Sequence, residues 1–563
     1  MINIEKTMSN SYPLISQSYP KPIYKSMVNF LTRILHEKDI NAFLETHKGL
    51  NALAFIEKLF EFLAFDYYAA SNQKLNIPTT GRVVIVANHP LGALDSLALI
   101  KLISEVRRDI KIVANHVLMS FDNLEDILLP VDNMSNKTRK SSVKEIYNAL
   151  ENEEAVIMFP AGEVSRAGLF GIKDGEWNSG FYRFAKKTDS PILPIYINAK
   201  NSLLFYMRSA LLKPLSALLL VQEVFKKRSK SIQFTVGEMI NLRTAKLDNI
   251  TLKSRVRLIR KHLHRIGRGK EGIILTESCI AHPEERQYLK SEFKKAQLLG
   301  ETRDNKKIYL ASYAENSVLM REIGRLREVS FRRVGEGSGK KRDLDKYDHY
   351  YKHIILWDDE KLELVGAYRI GESDYMMHKS EFYSHSLFNF EEKFESYMEN
   401  SIELGRSFVQ PAYWGSRALD YLWQGIGAYL KKHPNVRYMF GTVSISNSIP
   451  NSAKEQIVAL YLKHFGEKER LVTSNLPYSV DIEEQLPNAR ASYEEDFLSV
   501  KENLAFMDTS IPILYKQYSD LCEDDGVKFL DFNIDPEFEY CVDGFILVDI
   551  HKMKAKKRAR YIG

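Results

Sequence analysis

Cysteine is scarce in this chain: only Cys279, Cys522 and Cys541 occur among 563 residues, and none lies in a C-x-x-C spacing. An odd, scattered trio argues against a disulfide framework and a cysteine zinc site, and it fits a reducing compartment. Long apolar runs are missing as well. No uncharged stretch reaches the roughly 18–20 residues that span a bilayer. Met1 to Pro20 lacks the basic flank and apolar core of a signal peptide. Charge of one sign is not in excess: 79 Lys and Arg against 73 Asp and Glu leave +6, too little by itself to indicate nucleic acid. Low-complexity tracts and internal repeats are absent. The expectation is a cytoplasmic globular protein, peripheral to the inner face of the membrane where it meets lipid. Its length exceeds what one core supports and predicts two to four domains.

What is present begins with Val83-Val84-Ile85-Val86-Ala87, an apolar, β-branched run that reads as a buried strand. It stops at Asn88-His89-Pro90-Leu91-Gly92, where Pro and Gly break regular structure, and Asp95-Ser96 opens a helical pattern. His89 thus falls at a strand end and a carboxylate at the next helix start, the edge of an open α/β sheet where ligands sit. A histidine held by a carboxylate is a general base suited to a hydroxyl. Taken alone, the spacing favours Asp95 as a helix cap and His89 as a polar loop residue. His116 and Asp122 repeat that spacing without the Pro and Gly, and read as a structural echo.

Strands are expected at Ile110–His116, Ala155–Phe159 and Pro191–Ile197, with the segment Ile127–Asp132 after the first of these and helices over Ser26–Phe65 and Ser141–Glu151. The alternation predicts an α/β layer architecture. Phe205 to Lys230 is leucine-rich and ends in Lys226, Lys227, Arg228 and Lys230. It reads either as a helix at a membrane interface or as a core helix whose cations meet its own dipole. Residues 270–305 read as a connecting helix with turns. A second α/β pattern follows, with a strand at Glu363–Ile370, a helix at Ser416–Lys431 and a last strand at Gly544–Ile550. The boundaries expected are a loose arm over 1–24, a first domain over 25–285 and a second over 286–563, which ends in a basic tail.

Three blocks occur in order in the first half: Asn88-His89-Pro90-Leu91-Gly92-x-x-Asp95, Phe159-Pro160-Ala161-Gly162-Glu163-Val164-Ser165-Arg166, and Pro191-Ile192-Leu193-Pro194. Together they resemble the glycerolipid acyltransferase superfamily, which esterifies a lipid hydroxyl from an acyl thioester. The resemblance implies His89 as base and Asp95 as its orienting partner. Asn88, Gly92, Phe159, Pro160, Gly162, Glu163 and Arg166 would contact substrate. Two departures stand out: five residues separate His89 from Asp95, one more than usual, and the second block carries its carboxylate two places late. Both are similar to the branch that acylates lyso-aminolipids.

In the second half, Arg327, Asp345, Asp348, Arg369, Glu403 and Arg406 recur beside apolar segments. Such groups are costly to bury unpaired, so they read as a charged cleft or as structural ion pairs. Their order resembles the GNAT-fold N-acyltransferases of the ornithine-lipid type, which join a 3-hydroxyacyl chain to an amino group. That resemblance implies Glu403 as a catalytic residue and the others as substrate contacts. The usual acetyl-CoA loop is absent. Arg417, at the start of the Ser416–Lys431 helix, is placed to hold one phosphate, which suits acyl carrier protein better than acyl-CoA as donor. Basic surfaces would steer an acidic carrier, or serve solubility and lipid headgroup contact.

The resulting expectation is a bifunctional α/β acyltransferase with two α/β domains, the second a GNAT-like mixed sheet. It would N-acylate ornithine or glycine with a 3-hydroxyacyl chain and then O-acylate the 3-hydroxyl. It would bind no metal or other cofactor, and its partners would be acyl carrier protein, a membrane surface, an amino acid and a lyso-aminolipid, with no nucleic acid. The alternatives are a lysophospholipid acyltransferase with an unrelated fused N-acyltransferase, and a non-catalytic peripheral lipid-binding protein.

Overall fold

A computed structural model of the chain describes residue 5 and residues 20–34, 36–114, 121–130, 140–168, 171–202, 230–374, 376 and 381–563. The echo at His116 and the leucine-rich stretch over 203–229 lie outside the described residues. The chain divides between Cys279 and Ile280 into two compact units. Every hydrophobic core cluster is confined to one unit.

Unit 1 opens with helices α1 (Lys21–Ile34), α2 (Glu37–Thr46) and α3 (Ala52–Leu63), the last capped by the Asn51 side chain. Its sheet holds β1 (Asp66–Ala69), β2 (Val83–Ala87), β3 (Ile110–Ala114), β4 (Leu128–Pro130), β5 (Ala155–Met158), β6 (Ile192–Asn198) and β7 (Ser231–Val236), in the order β1-β7-β6-β2-β5-β3-β4. The central strands β6, β2, β5 and β3 run parallel; β7 pairs antiparallel to β6. All five residues of β2 are buried, as an apolar run covered on both faces requires. Helix α4 (Ala93–Ser104) buries ten of its twelve residues, so it is a core helix and not an amphipathic surface one. Helices α5 (Lys140–Glu151), α6 (Gly180–Lys187) and α7 (Leu252–Ile266) complete the layers.

Unit 2 is built on eight strands: β8 (Gln297–Glu301), β9 (Lys307–Ser312), β10 (Lys352–Asp358), β11 (Glu363–Glu372), β12 (Ser401–Val409), β13 (Tyr438–Ile445), β14 (Val527–Asp535) and β15 (Cys541–Asp549). Their order is β8-β9-β10-β11-β12-β13-β15-β14. Neighbours are antiparallel except β12 and β13, which pair in parallel only from Ser401 opposite Tyr438 to Leu404 opposite Gly441 and then part. A bulge drives the parting. Two residues, Arg406 and Ser407, face the single Tyr368 of β11, and Arg406 takes a left-handed φ of 48°. Bulges of this kind bend a strand and re-aim a side chain. A small cavity lined by Leu404, Phe440, Gly441, Val443 and Tyr518 sits at the fork. Helices α8 (Val318–Val334), α9 (Ala418–Lys432) and α10 (Asn451–Phe465) pack against the sheet.

One expectation is corrected here. Residues 270–305 hold only a short helix, Arg286–Glu292, and then enter the sheet as β8, because Gln297–Glu301 pairs antiparallel with β9. Among the described residues no helix is long and apolar enough to cross a membrane.

Candidate functional site

The first two sequence blocks of unit 1 meet because they follow the ends of the adjacent parallel strands β2 and β5, while the third opens β6 on the other side of β2. Val86 of β2 lies opposite Met158 of β5, and Ala87 lies opposite Ile195 of β6. The chain therefore delivers His89 and Phe159 side by side, with ring centroids 4.2 Å apart. Asn88 is buried, and its amide spans to the third strand: it donates to Ile197 O at 2.9 Å and accepts from Ile197 N at 2.7 Å. The substrate contact expected of Asn88 does not fit this geometry, because its polar ends are committed to the β2–β6 seam.

Asp95, in the first turn of α4, is fully buried and divides its carboxylate. Oδ2 accepts from Leu91 N at 2.7 Å and Gly92 N at 3.3 Å. Oδ1 lies 3.0 Å from Nδ1 of His89. The cap and the histidine partner are thus one residue, and Gly92 at φ 93° makes the turn that permits both. Nε2 of His89 has no hydrogen-bond partner among the described residues, so it is the ring atom open to a substrate hydroxyl. Burial pushes the His89 pKa down, but attraction to Asp95 and then Asp174 outweighs burial and raises it above the ordinary imidazole value.

Sequence reasoning missed Asp174. It is buried, accepts the Ser165 hydroxyl at 2.5 Å and the Trp177 indole N–H at 3.1 Å, and lies 3.4 Å from the His89 amide. Ser165 N in turn donates to His89 O at 2.8 Å. The second block therefore braces the histidine loop. A buried acceptor in a Gly- and Asp-containing turn has no signature of its own in the sequence. Gly162 turns the block at φ 67° and Pro160 is buried. Glu163 and Arg166 are half exposed and pair at 2.6 Å, open to a ligand.

In unit 2 the charged residues gather as one network. Arg327 donates to Asp348 at 2.8 Å, and Arg369 to Asp345 at 2.7 Å and to Asp348 at 3.3 Å. Arg406 Nε lies 3.3 Å from Asp343 and Nη2 3.6 Å from Asp345, and its guanidinium stacks over Tyr383 at 4.6 Å. Burial works against the Asp348 carboxylate, but Arg327 and Arg369 hold it far below the usual carboxylate range. Burial and then Arg327 push His353 down to about 3, so it stays neutral.

Glu403, whose motif implied a catalytic role, is held from within unit 2. Oε1 accepts from the Ser384 amide at 2.9 Å and from the Ser384 hydroxyl; Oε2 accepts from the Tyr383 amide at 3.1 Å and from the Tyr351 hydroxyl. The Tyr383 amide is shared with the Tyr351 hydroxyl at 2.9 Å, and together these donors anchor the 382–386 turn on the buried carboxylate. Arg417 is exposed, just ahead of α9.

The acyltransferase family profile matches residues 15–269, and the acetyltransferase (GNAT) domain profile matches residues 326–424. The chain is 32% identical over 305 residues to the glycine N(alpha)-acyltransferase of Phocaeicola vulgatus, covering 51% of this chain and 93% of that one. It is 30% identical over 251 residues to the lyso-glycine lipid O-acyltransferase of Bacteroides thetaiotaomicron, covering 43% of this chain and 90% of that one. It is 33% identical over 141 residues to the L-ornithine N(alpha)-acyltransferase of Rhizobium meliloti, covering 24% of this chain and 46% of that one. With nearly the full length of two separate acyltransferases laid end to end in one polypeptide, the chain belongs to the aminolipid acyltransferases, an acyltransferase domain followed by a GNAT domain.

Proposed function

We propose that the protein makes an acyloxyacyl aminolipid in two steps: unit 2 N-acylates glycine with a 3-hydroxyacyl chain, and unit 1 then esterifies the 3-hydroxyl of that product. The observation that carries this reading is the fusion. One half resembles an enzyme named for glycine N-acylation and the other an enzyme named for O-acylation of the lyso-glycine lipid, so the product of the first supplies the hydroxyl of the second. In unit 1, His89 would take the hydroxyl proton at Nε2 while Asp95 holds the opposite nitrogen and stabilises the imidazolium. Glu163 and Arg166 would meet the acceptor's polar end.

The donor would be an acyl carrier protein thioester. The exposed Arg417 beside the N-terminus of α9 suits its single phosphate. The exposed cations of α7, Lys253, Arg257 and Lys261, would favour an anionic lipid surface, and the protein would work peripherally there.

The test is reconstitution. Purified protein is offered 3-hydroxyacyl carrier protein with glycine or ornithine, and products are read by mass spectrometry. Glycine should give an N-acyl product that gains a second chain when a further acyl thioester is added. Preferential use of ornithine would reassign the amino acid, and no N-acylation of either would reject the reading of unit 2.

A further inference from the structure

Just past the fork of β12 and β13 lies a group of polar side chains that meets the Arg327–Asp348 network at Tyr383, whose hydroxyl accepts from Arg406 at 3.1 Å. Asp543 of β15 stands opposite Ser444 of β13 and Asn533 of β14, and is only 2% exposed. Its Oδ1 accepts from the Ser444 hydroxyl at 2.6 Å and lies 3.7 Å from the Cys541 thiol. Its Oδ2 accepts no hydrogen bond from any described residue. Asp535, at the end of β14, is buried, caps the Glu537 amide at 2.9 Å and lies 3.4 Å from the Tyr383 hydroxyl. Glu336, two residues beyond α8, interacts electrostatically with Asp543.

No cation forms an ion pair with these three carboxylates among the described residues; Arg406, which attracts Asp535 and Asp543 through space, is paired with Asp343 and Asp345. Burial and then repulsion from Asp535 push Asp543 up to about 6, against the pull of Ser444 and Arg406, while burial and then Asp543 push Glu336 up to about 8. Tyr383 and Tyr515 face the same group and are neutral hydroxyls, both shifted upward by burial.

The opposite deficit occurs beside it. Lys454, in the first turn of α10, is only 4% exposed; among the described residues its Nζ forms no ion pair, donates to Asn447 Oδ1 at 2.8 Å, and feels the neighbouring Glu455 only through space. Cys541, whose thiol contacts Asp543, interacts electrostatically with Lys454. A buried ammonium held by one neutral acceptor is as incomplete as a carboxylate group without a cation. Together they lack one positive and one negative charge, which is the charge pattern of an amino-acid zwitterion.

We propose that this cluster is the acceptor site of unit 2: the ammonium of the amino acid sits on Asp543, with Asp535 and Glu336 around it, its carboxylate turns to Lys454, and Asp543 is the base for the attacking nitrogen. The proposal rests on the reading of unit 2 as an amino-acid N-acyltransferase. The ammonium first gives one proton through Asp543 to solvent. The neutral nitrogen then forms the C–N bond to the thioester carbonyl and the C–S bond breaks. The second proton leaves nitrogen for Asp543 and passes to the departing thiolate, so amide and free thiol are the products.

The test uses the full-length chain with 3-hydroxyacyl carrier protein, and glycine or glycinamide as acceptor. Asp543→Asn should lower kcat for N-acylation by about 100-fold or more and remove the acid limb of the pH profile. Lys454→Met should raise KM for glycine at least about tenfold and erase the preference for glycine over glycinamide, with its circular-dichroism melt near wild type. If Asp543→Asn does not fold, the glycine-to-glycinamide ratio of Lys454→Met decides alone. A folded Lys454→Met that keeps the wild-type ratio, or a folded Asp543→Asn with the wild-type pH profile, overturns the acceptor site while leaving N-acylation itself standing. A wild-type chain that acylates no amino acid rejects the reading of unit 2 and this cluster's role with it.

Discussion

Asp95 illustrates how one side chain serves two demands, and the two can be separated by substitution. Asp95→Asn keeps an oxygen for the Leu91 and Gly92 amides but removes the charge facing His89. O-acylation should fall by about 100-fold or more, its acid limb should move down in pH, and the melting temperature should change little. Asp95→Ala loses both roles and should cost a further ~1–3 kcal/mol in urea unfolding. The pH dependence follows from the raised His89 pKa. As a base His89 must be neutral, so O-acylation should rise with pH through a value above about 6.5. The stability from the His89–Asp95 pair has the opposite sense: it is fully present below the unfolded imidazole value and lost as pH rises through the folded one. The spacing alone favours a helix cap; the ordered motif blocks point to the pairing, and the turn at Pro90 and Gly92 lets one carboxylate serve both. The anchoring contacts of Glu403 were not legible, because its four donors come from residues 351, 383 and 384, and nothing in the spacing announces that they converge.

At the level of elements, the fork between β12 and β13 depends on a close approach at Gly441. A Cβ there would lie 2.1 Å from Leu404 O, a backbone atom that cannot swing aside. Gly441→Ala should therefore push the last paired residues apart, destabilise unit 2 by more than about 1 kcal/mol, and depress N-acylation while unit 1 keeps O-acylating a supplied lyso-lipid. Strands buried on both faces, such as β2 and β5, were legible as unbroken apolar runs. The four-residue β1, with mostly exposed or half-exposed side chains, carried no such signal. The bulge at Arg406 was equally hidden: its left-handed φ belongs to an ordinary arginine whose conformation is set by β11 and by its carboxylate partners.

For the whole molecule, two self-contained cores predict that damage stays local. Removing Asp348 strands Arg327 and Arg369 without their shared carboxylate, and breaking a buried pair of this kind costs about 3–5 kcal/mol. Asp348→Ala should lower the urea midpoint only of the unfolding step that abolishes N-acylation, leaving the step that reports on O-acylation in place. The division into two α/β acyltransferase domains was legible because each half carries its own ordered motif blocks. The charge pairings inside unit 2 were not, since ordered letters do not say which arginine meets which aspartate. The central claim is that the two units act in sequence, and lipid mass spectrometry of a host that lacks aminolipids tests it most directly. The intact chain should produce a diacylated glycine lipid, and His89→Ala should stop at the N-acylated lyso-form. A diacylated lipid from His89→Ala, or unchanged host lipids from a well-expressed wild-type chain, would contradict the account.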